Sequence, residues 1–407
     1  MISPPVLPWL VLLSWAALGC GEPSLPQEAS TARDSAGVRI VENVRGTWTI
    51  PWQVGVQPLL TIGSIGGDAD QELDQVTGAV RIAGDRIVVA NAGSLELLFY
   101  DRDGNLLRRA GGRGGGPGEF QSLEWLSRYG SDSILALDVR GHRVSYFDAE
   151  GDFGRSVRLE PNAQIPFPRP VGFFGNGSLL ATQGTYSLGG DPPVRAERTP
   201  EPLFRYESDG RTAILVGSFP GPEWVIGVPT GPRGDLERRK RPFGCETAFA
   251  AAGDQFYVAD NGSYEIRVYS ITGRLTQVIR KQVVGLTLEQ SHIRAFEDST
   301  LAAASATGRR QMRVLFENLP PPPRTYPAFA PDIHVDGDLN VWVRESTRPG
   351  DGRFLWSVFS AGGELLGTVD MPPGVEVLDI GADYVLGLRR DELDVEYVQQ
   401  FQLRRGR

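Results

Sequence analysis

The chain has 407 residues, 41% of them hydrophobic, and a formal net charge of −9. That length supports a large core without disulfide staples, and the acidic balance gives no general counterion-release drive toward nucleic acid, which excludes it as the expected partner. Glycine (50) and proline (30) exceed average usage while apolar helical periods are scarce, so the composition predicts short strands separated by many turns, an all-β fold.

The N-terminus reads MISPPVLPWLVLLSWAALGCGEPS, with an apolar run from Val6 to Leu18. The run is too short to cross a bilayer and predicts an export signal over residues 1–19. Its Gly19-Cys20 ending resembles the lipobox of bacterial lipoproteins, with Ala17 where leucine usually stands and no Lys or Arg ahead of the run. The resemblance implies lipidation at Cys20, which would hold an exported protein to a membrane of the bacterial cell envelope. Plain signal cleavage with secretion and an uncleaved leader are the alternatives. Cys245 is the other cysteine; with Cys20 acylated no intramolecular disulfide forms, and Cys245 is expected to be a small buried hydrophobe. The polar, aperiodic stretch after Cys20 predicts a flexible tether over residues 20–37, with folded structure from Val38.

From there the chain repeats itself. DRIVVANAGSLELLFYDRDGNLLRRAG (85–111) and DQFYVADNGSYEIRVYSITGRLTQVIR (254–280) share an apolar strand, a Gly-Ser turn, an alternating strand ending at Tyr, a tight glycine turn and a third strand. A further strand precedes each, which makes a four-stranded antiparallel unit. Fainter copies predict blades at 76–111, 122–160, 170–219, 245–281, 330–371 and 375–403. The last segment supplies three strands, and residues 58–63 are expected to complete it. Six such units around an axis predict a β-propeller closed by its own N-terminal strand.

The runs Val-Ala-Asp-Asn and Ile-Arg-Val-Tyr, the turn glycine and a Gly-rich connector ending Gly-Glu-Phe resemble the NHL repeat of six-bladed propellers, many of them bacterial secreted or lipid-anchored proteins of unassigned function. The resemblance covers roughly residues 58–405 and implies architecture rather than activity. Within it, GGRGGGPGEF (111–120) matches neither G-x-G-x-x-G nor GxxxxGK[ST], so it is expected to connect blade one to blade two with glycine supplying positive φ.

Loop lengths separate the two ends of the predicted ring. Turns between first and second strands, and between third and fourth, are short; the other connections contain every long insertion, at 184–202, 220–244, 283–329 and 346–353. Binding sites sit on elaborated loops of rigid scaffolds. The longest insertion is expected to be helical, with a capping box at Thr287–Gln290, apolar spacing through Met312, Leu315, Phe316 and Leu319, and a stop at the following prolines. It would either cap the channel mouth or decorate a blade.

Metal chemistry is weighed against this. Lyases of similar architecture hold zinc with histidines, but His142, His292 and His334 fall in three different elements. Lactonases of six-bladed architecture place carboxylates at the channel and imply calcium, yet the inner-strand candidates Glu124, Glu246, Asp332 and Glu376 do not share one level. Asp68, Asp70, Glu72 and Asp74 alternate in a connector and could hold a cation if extended, though the turn glycine of a calcium loop is lacking. The run Arg238, Arg239, Lys240, Arg241 reads as a solvated loop able to meet one anionic group. Trp224, Arg241, Glu246, Tyr326 and Phe329 are the candidate ligand contacts. The expected protein is thus a monomeric exported propeller, lipid-anchored, without a cofactor, that binds a peptide, glycan or protein through its long-loop face. A cation-dependent, lactonase-like hydrolase or lyase working at the channel mouth, with calcium as the candidate ion, is the alternative.

Overall fold

The computed structural model describes residues 30–44, 52–64, 71–130, 132–183, 194–230, 235–348 and 351–406. The export signal and Cys20, like Asp68 and Asp70, lie outside the described residues. Six sheets, each with four antiparallel strands at its heart, form the blades. Their inner strands are Val76–Ile82, Trp125–Tyr129, Pro168–Phe173, Thr247–Ala252, Phe329–Val335 and Val375–Ile380. Closure follows the expected route: Leu60–Ile62 pairs antiparallel with Glu396–Arg404, the last strand of the chain, and Gln53–Val54 pairs further along the same strand.

The packing explains the sequence pattern. A blade's second strand is buried on both faces, so it reads as a continuous apolar run rather than an alternation. In Arg86–Asn91 the side chains of Val88 and Ala90 join Leu126 and Ile134 of blade two, while Ile87 and Val89 join Leu386 and Leu388 of blade six. Each fully buried Val or Leu contributes about 1.5–3 kcal/mol, so the ring is held by six such interfaces and needs no cross-link.

The Gly-rich stretch is a connector, as expected. Gly111 has φ +97°, and a Cβ there would lie 2.7 Å from the Phe120 ring. The loop folds back on itself, with Phe120 N–H donating to Gly112 O at 2.8 Å. Arg143 donates to the carbonyls of Gly115, Gly116 and Glu119. These are inward-turned carbonyls, the wrong polarity for a phosphate cradle.

Two expectations are corrected. Part of the stretch read as tether is a strand: Ser30–Ser35 pairs with Val38–Asn43, which runs parallel to Leu275–Lys281 at the outer edge of blade four. Asn43 anchors it, buried, with its amide donating to Arg280 O and Gly363 O and its oxygen accepting from Leu365 N–H, which ties blade four to blade five. The outermost strand is almost wholly exposed, so no apolar alternation marks it. The helical insertion consists of α1 (Gln290–Ala303) and α2 (Ala306–Asn318), but Thr287 does not cap it. Glu289 is the N-cap, its N–H accepted by His292 Nδ1 at 3.3 Å, and Thr287 instead bridges Thr325 in a two-stranded stem.

Candidate functional site

The described parts of the insertions at 220–244 and 283–329 meet at one end of the ring, above blades four and five. Between them lies a pocket of about 320 Å³, lined among others by Arg241, Phe243, Glu246, Tyr326, Arg344 and Phe354. Its floor is set by one residue. Asn261, buried in the turn after the second strand of blade four, accepts from Glu246 N–H at 2.7 Å and donates to Phe329 O at 3.0 Å. It thereby fixes where the inner strands of both blades begin. Asn91 does the same for Asp74 N–H in blade one, and Asp138 for Gln121 and Ser122 N–H in blade two. A short polar side chain suits the position because it can bond main-chain groups of the adjoining strand start, 15 to 17 residues earlier in the chain, without leaving the turn.

The walls come from the insertions. Glu223 organises the first: its side chain accepts from Cys245 N–H at 3.0 Å and faces Arg241 at 3.5 Å. The turn it holds places Phe243 at φ +58°, a left-handed conformation that costs a non-glycine residue about 1 kcal/mol or more. The ring of Phe243 is gripped edge-on by Phe296 of α1 at 5.2 Å and by Tyr326 at 5.5 Å. Tyr326 is itself positioned by the stem, its N–H donating to Leu286 O at 2.9 Å. Its hydroxyl is buried and finds no protein partner among the described residues, and burial raises its pKa. Arg344 faces Asp332, its Nε 3.5 Å from the carboxylate.

Of the five ligand contacts expected from sequence, Arg241, Glu246, Tyr326 and Phe329 come together at this pocket. Trp224 does not; it opens a strand, Trp224–Thr230, pairing with Arg195–Glu197 and Asp235–Lys240 in a small satellite sheet. Phe329 is fully buried, its ring 4.9 Å from that of Tyr264, so it is floor rather than contact surface. Arg241 is held by the Pro321 carbonyl, and Glu246 by Lys240. Phe243 and Arg344 were missed. Phe243 lies beside a proline and glycine that read only as a turn, and Arg344 reads as the polar end of a strand.

The four inner-strand carboxylates each face a cation: Glu124 faces Arg169 at 3.7 Å, Asp332 faces Arg344, Glu376 faces Arg390 at 3.6 Å, and Glu246 faces Lys240. Among the described residues no group of three His, Cys, Asp or Glu is placed to hold a metal ion. Glu72 and Asp74 are both exposed. Cys245 is a free, half-buried thiol whose pKa is raised by burial and by Glu223.

Residues 69–166 match the model of a family described as a 6-bladed beta-propeller, DUF5128. No curated protein matches the sequence. Among solved structures, the chain is similar to a DUF4221 family member from Bacteroides vulgatus, with 10% identity over 87% of this chain and 99% of that one and a TM-score of 0.51. It also resembles a putative exported protein from Bacteroides fragilis, with 12% identity over 90% and 100% of the two chains and a TM-score of 0.47. A gluconolactonase from Xanthomonas campestris has 12% identity over 82% and 87% and a TM-score of 0.43. At such identities the likeness is one of fold, and the fold is a six-bladed β-propeller.

Proposed function

We propose that this chain is an exported binding or scaffolding propeller of the NHL-like kind, anchored through lipidated Cys20, which holds a peptide, glycan or protein segment in the pocket between blades four and five. The observation that carries the reading is the Tyr326 hydroxyl, buried at the pocket wall without a partner among the described residues. A buried polar group left unpaired costs about 1–3 kcal/mol, and a ligand donor or acceptor placed there recovers it. Phe243, Tyr326 and Phe354 supply aromatic walls, and Arg344 supplies a guanidinium. Aromatic faces with a few convergent polar groups are the usual make-up of a recognition site. On this reading the pocket works as a monomer and without a metal, since the carboxylates nearest the channel are taken up by cations.

The test is binding of the purified mature protein to arrayed peptides and glycans, repeated with Arg344→Ala and Tyr326→Phe. Specific ligands lost in both variants support the reading. An absence of ligands, or ligands indifferent to both variants, overturns it, as does one tightly bound calcium or zinc per chain together with lactone hydrolysis. The mass of the mature N-terminus decides the anchor separately: a diacylglyceryl or triacyl mass on Cys20 supports it, and an unmodified or signal-cleaved chain removes it.

A further inference from the structure

The other end of the channel, the end of the short turns, contains a cavity that shares no lining residue with the pocket above. It measures about 400 Å³ and is walled by inner strands of all six blades, including Trp125, Ser127, Arg128, Phe173, Ala250 and His334. Each inner strand pairs on one side only. Alternate residues therefore turn their N–H and C=O toward the axis, as in any sheet edge.

The two halves of the ring treat that edge differently. In blades six, one and two, side chains close it. Arg81 N–H donates to Asp379 at 3.4 Å and Arg81 O accepts from Arg128 at 3.5 Å. Arg128 also donates to Asp379 at 3.0 Å and to the Tyr384 hydroxyl at 2.8 Å. In blades three and four the corresponding strands carry Gly172, which has no side chain, and Ala250–Ala252, whose methyl groups offer no hydrogen bond. They also run close together, since a Cβ on Gly172 would lie 2.7 Å from that of Ala251. At the gap between blades two and three, Trp125 and Phe173 stack with centroids 4.8 Å apart and planes 6° from parallel. The cavity thus has a flat apolar wall, a main-chain edge bridged at its end where Gly175 N–H donates to Gly253 O at 2.8 Å and otherwise free of polar side chains in blades three and four, and polar side chains already paired: Arg128 with Asp379, His334 with Asp332 at 3.4 Å.

We infer that this axial cavity is a second site, for a small uncharged polyhydroxylated ring, a single sugar unit. A strand edge offers donors and acceptors in alternation. An anion would meet its carbonyls and a cation its N–H groups, whereas a hydroxyl both donates and accepts. The C–H face of a pyranose suits the flat aromatic wall. A volume of about 400 Å³ lies at the low end of ligand pockets, about 300–1,000 Å³, which admits one ring and not a chain.

The experiment is a tryptophan-emission titration of the whole mature protein with glucose, galactose, mannose and N-acetylglucosamine, with glutamate and lysine as charged controls. At least one sugar is expected to give a saturable change with a Kd of about 1 mM. Ser127 lies on the same strand face as Trp125, so Ser127→Phe fills the gap and is expected to weaken that sugar tenfold or more. Should Ser127→Phe melt early, Ala250→Val narrows the opposite side and is expected to weaken the sugar likewise. Silence from all four sugars, stronger binding of a charged control, or a filling variant that melts like wild type and binds as well would overturn the inference. None of these outcomes bears on the Arg344 and Tyr326 variants, so the two sites fail or stand separately.

Discussion

The two mouths of the channel are made from different parts of the chain, and their polar side chains differ accordingly. At the short-turn mouth, repeat strands bring Arg81, Arg128, Asp379, Asp383 and Tyr384 together, and they bond to one another: Tyr384 donates to Asp379 at 2.5 Å, Arg81 reaches Asp383 at 2.5 Å, and the Arg81 guanidinium lies 3.8 Å from the Tyr384 ring centroid. At the long-loop mouth, insertions outside the repeat bring Phe243 and Tyr326 together, one strained and the other with a hydroxyl unpartnered among the described residues. These five repeat side chains bond among themselves, although single buried atoms such as Ser145 Oγ and Gln399 Oε1 are unpaired elsewhere in the repeat strands among the described residues. Insertions are free to leave a group unpaired where something else will meet it.

The largest expected effect lies on the self-satisfied side. Asp336, in a short turn of blade five, is fully buried and accepts from Asn340, from Trp342 Nε1 at 3.0 Å and from Arg405 at 2.8 Å. Arg405→Met removes the only cation that meets this carboxylate among the described residues. Removing one partner of a buried pair typically costs about 3–5 kcal/mol, so the urea midpoint should drop by that equivalent. Because Arg405 belongs to the closing blade, limited proteolysis of the variant should open the ring near the C-terminus first. A loss under about 1 kcal/mol would mean that this mouth is not the rigid one.

Next comes Asn261→Ala on the long-loop side. It leaves Glu246 N–H and Phe329 O without their side-chain partners, at about 2–3 kcal/mol in all, measurable by thermal denaturation. It should also displace the floor of the pocket, so ligand binding falls even in variant protein that remains folded. Asn91→Ala in blade one removes the equivalent turn bond to Asp74 N–H and should cost a comparable amount while leaving that binding intact. Together the pair separates the architectural role of the turn residue from its local role at the site.

How much of this was legible in the sequence follows the same division. Blades, turn partners and the closing strand were readable because both faces of each blade are buried, which forces apolar runs at a fixed interval. The outer hairpin 30–43 was not, since an exposed edge strand needs no pattern. Nor was the satellite sheet: its strand Asp235–Lys240, DLERRK, is set by pairing with Trp224–Thr230 and carries no alternation. At the site, loop length pointed to Arg241 and Tyr326, while Phe243 depends on a backbone conformation that no residue type announces.

Alkaline pH probes the tyrosines across both regions at once. Burial pushes Tyr206 and Tyr257 up to about 12, and burial, then the charge of Glu345 for Tyr264 and of Asp379 for Tyr384, raises those two as well. A tyrosine whose folded pKa exceeds its unfolded value of about 10 binds its proton more tightly when folded. Its contribution is complete below pH 10 and is lost as pH rises from there through the folded pKa. The urea midpoint should therefore be unaffected by these groups up to pH 10 and fall beyond it, with the 295 nm phenolate absorbance of the buried tyrosines appearing together with unfolding. Tyr264→Phe and Tyr384→Phe should each make that fall shallower.

The smallest effect in stability is the most telling about the difference between the mouths, because it compares the same chemical change, loss of one hydroxyl, on either side. Tyr384 Oη donates to Asp379 and accepts from Arg128, so Tyr384→Phe strips a hydrogen bond from two charged groups and should cost about 1.5–3 kcal/mol at neutral pH. Tyr326 Oη is buried and bonds to no group among the described residues, so Tyr326→Phe removes a desolvated polar atom without breaking a bond seen there. Its effect should be neutral or stabilising by up to about 1 kcal/mol, while affinity for whatever occupies the pocket falls by about tenfold, the equivalent of about 1.4 kcal/mol. A variant that is as stable as wild type and binds worse is the signature of a group kept for a ligand. Were Tyr326→Phe instead to lose as much stability as Tyr384→Phe, the hydroxyl would have a partner within the fold, and the long-loop mouth would be as closed on itself as the other.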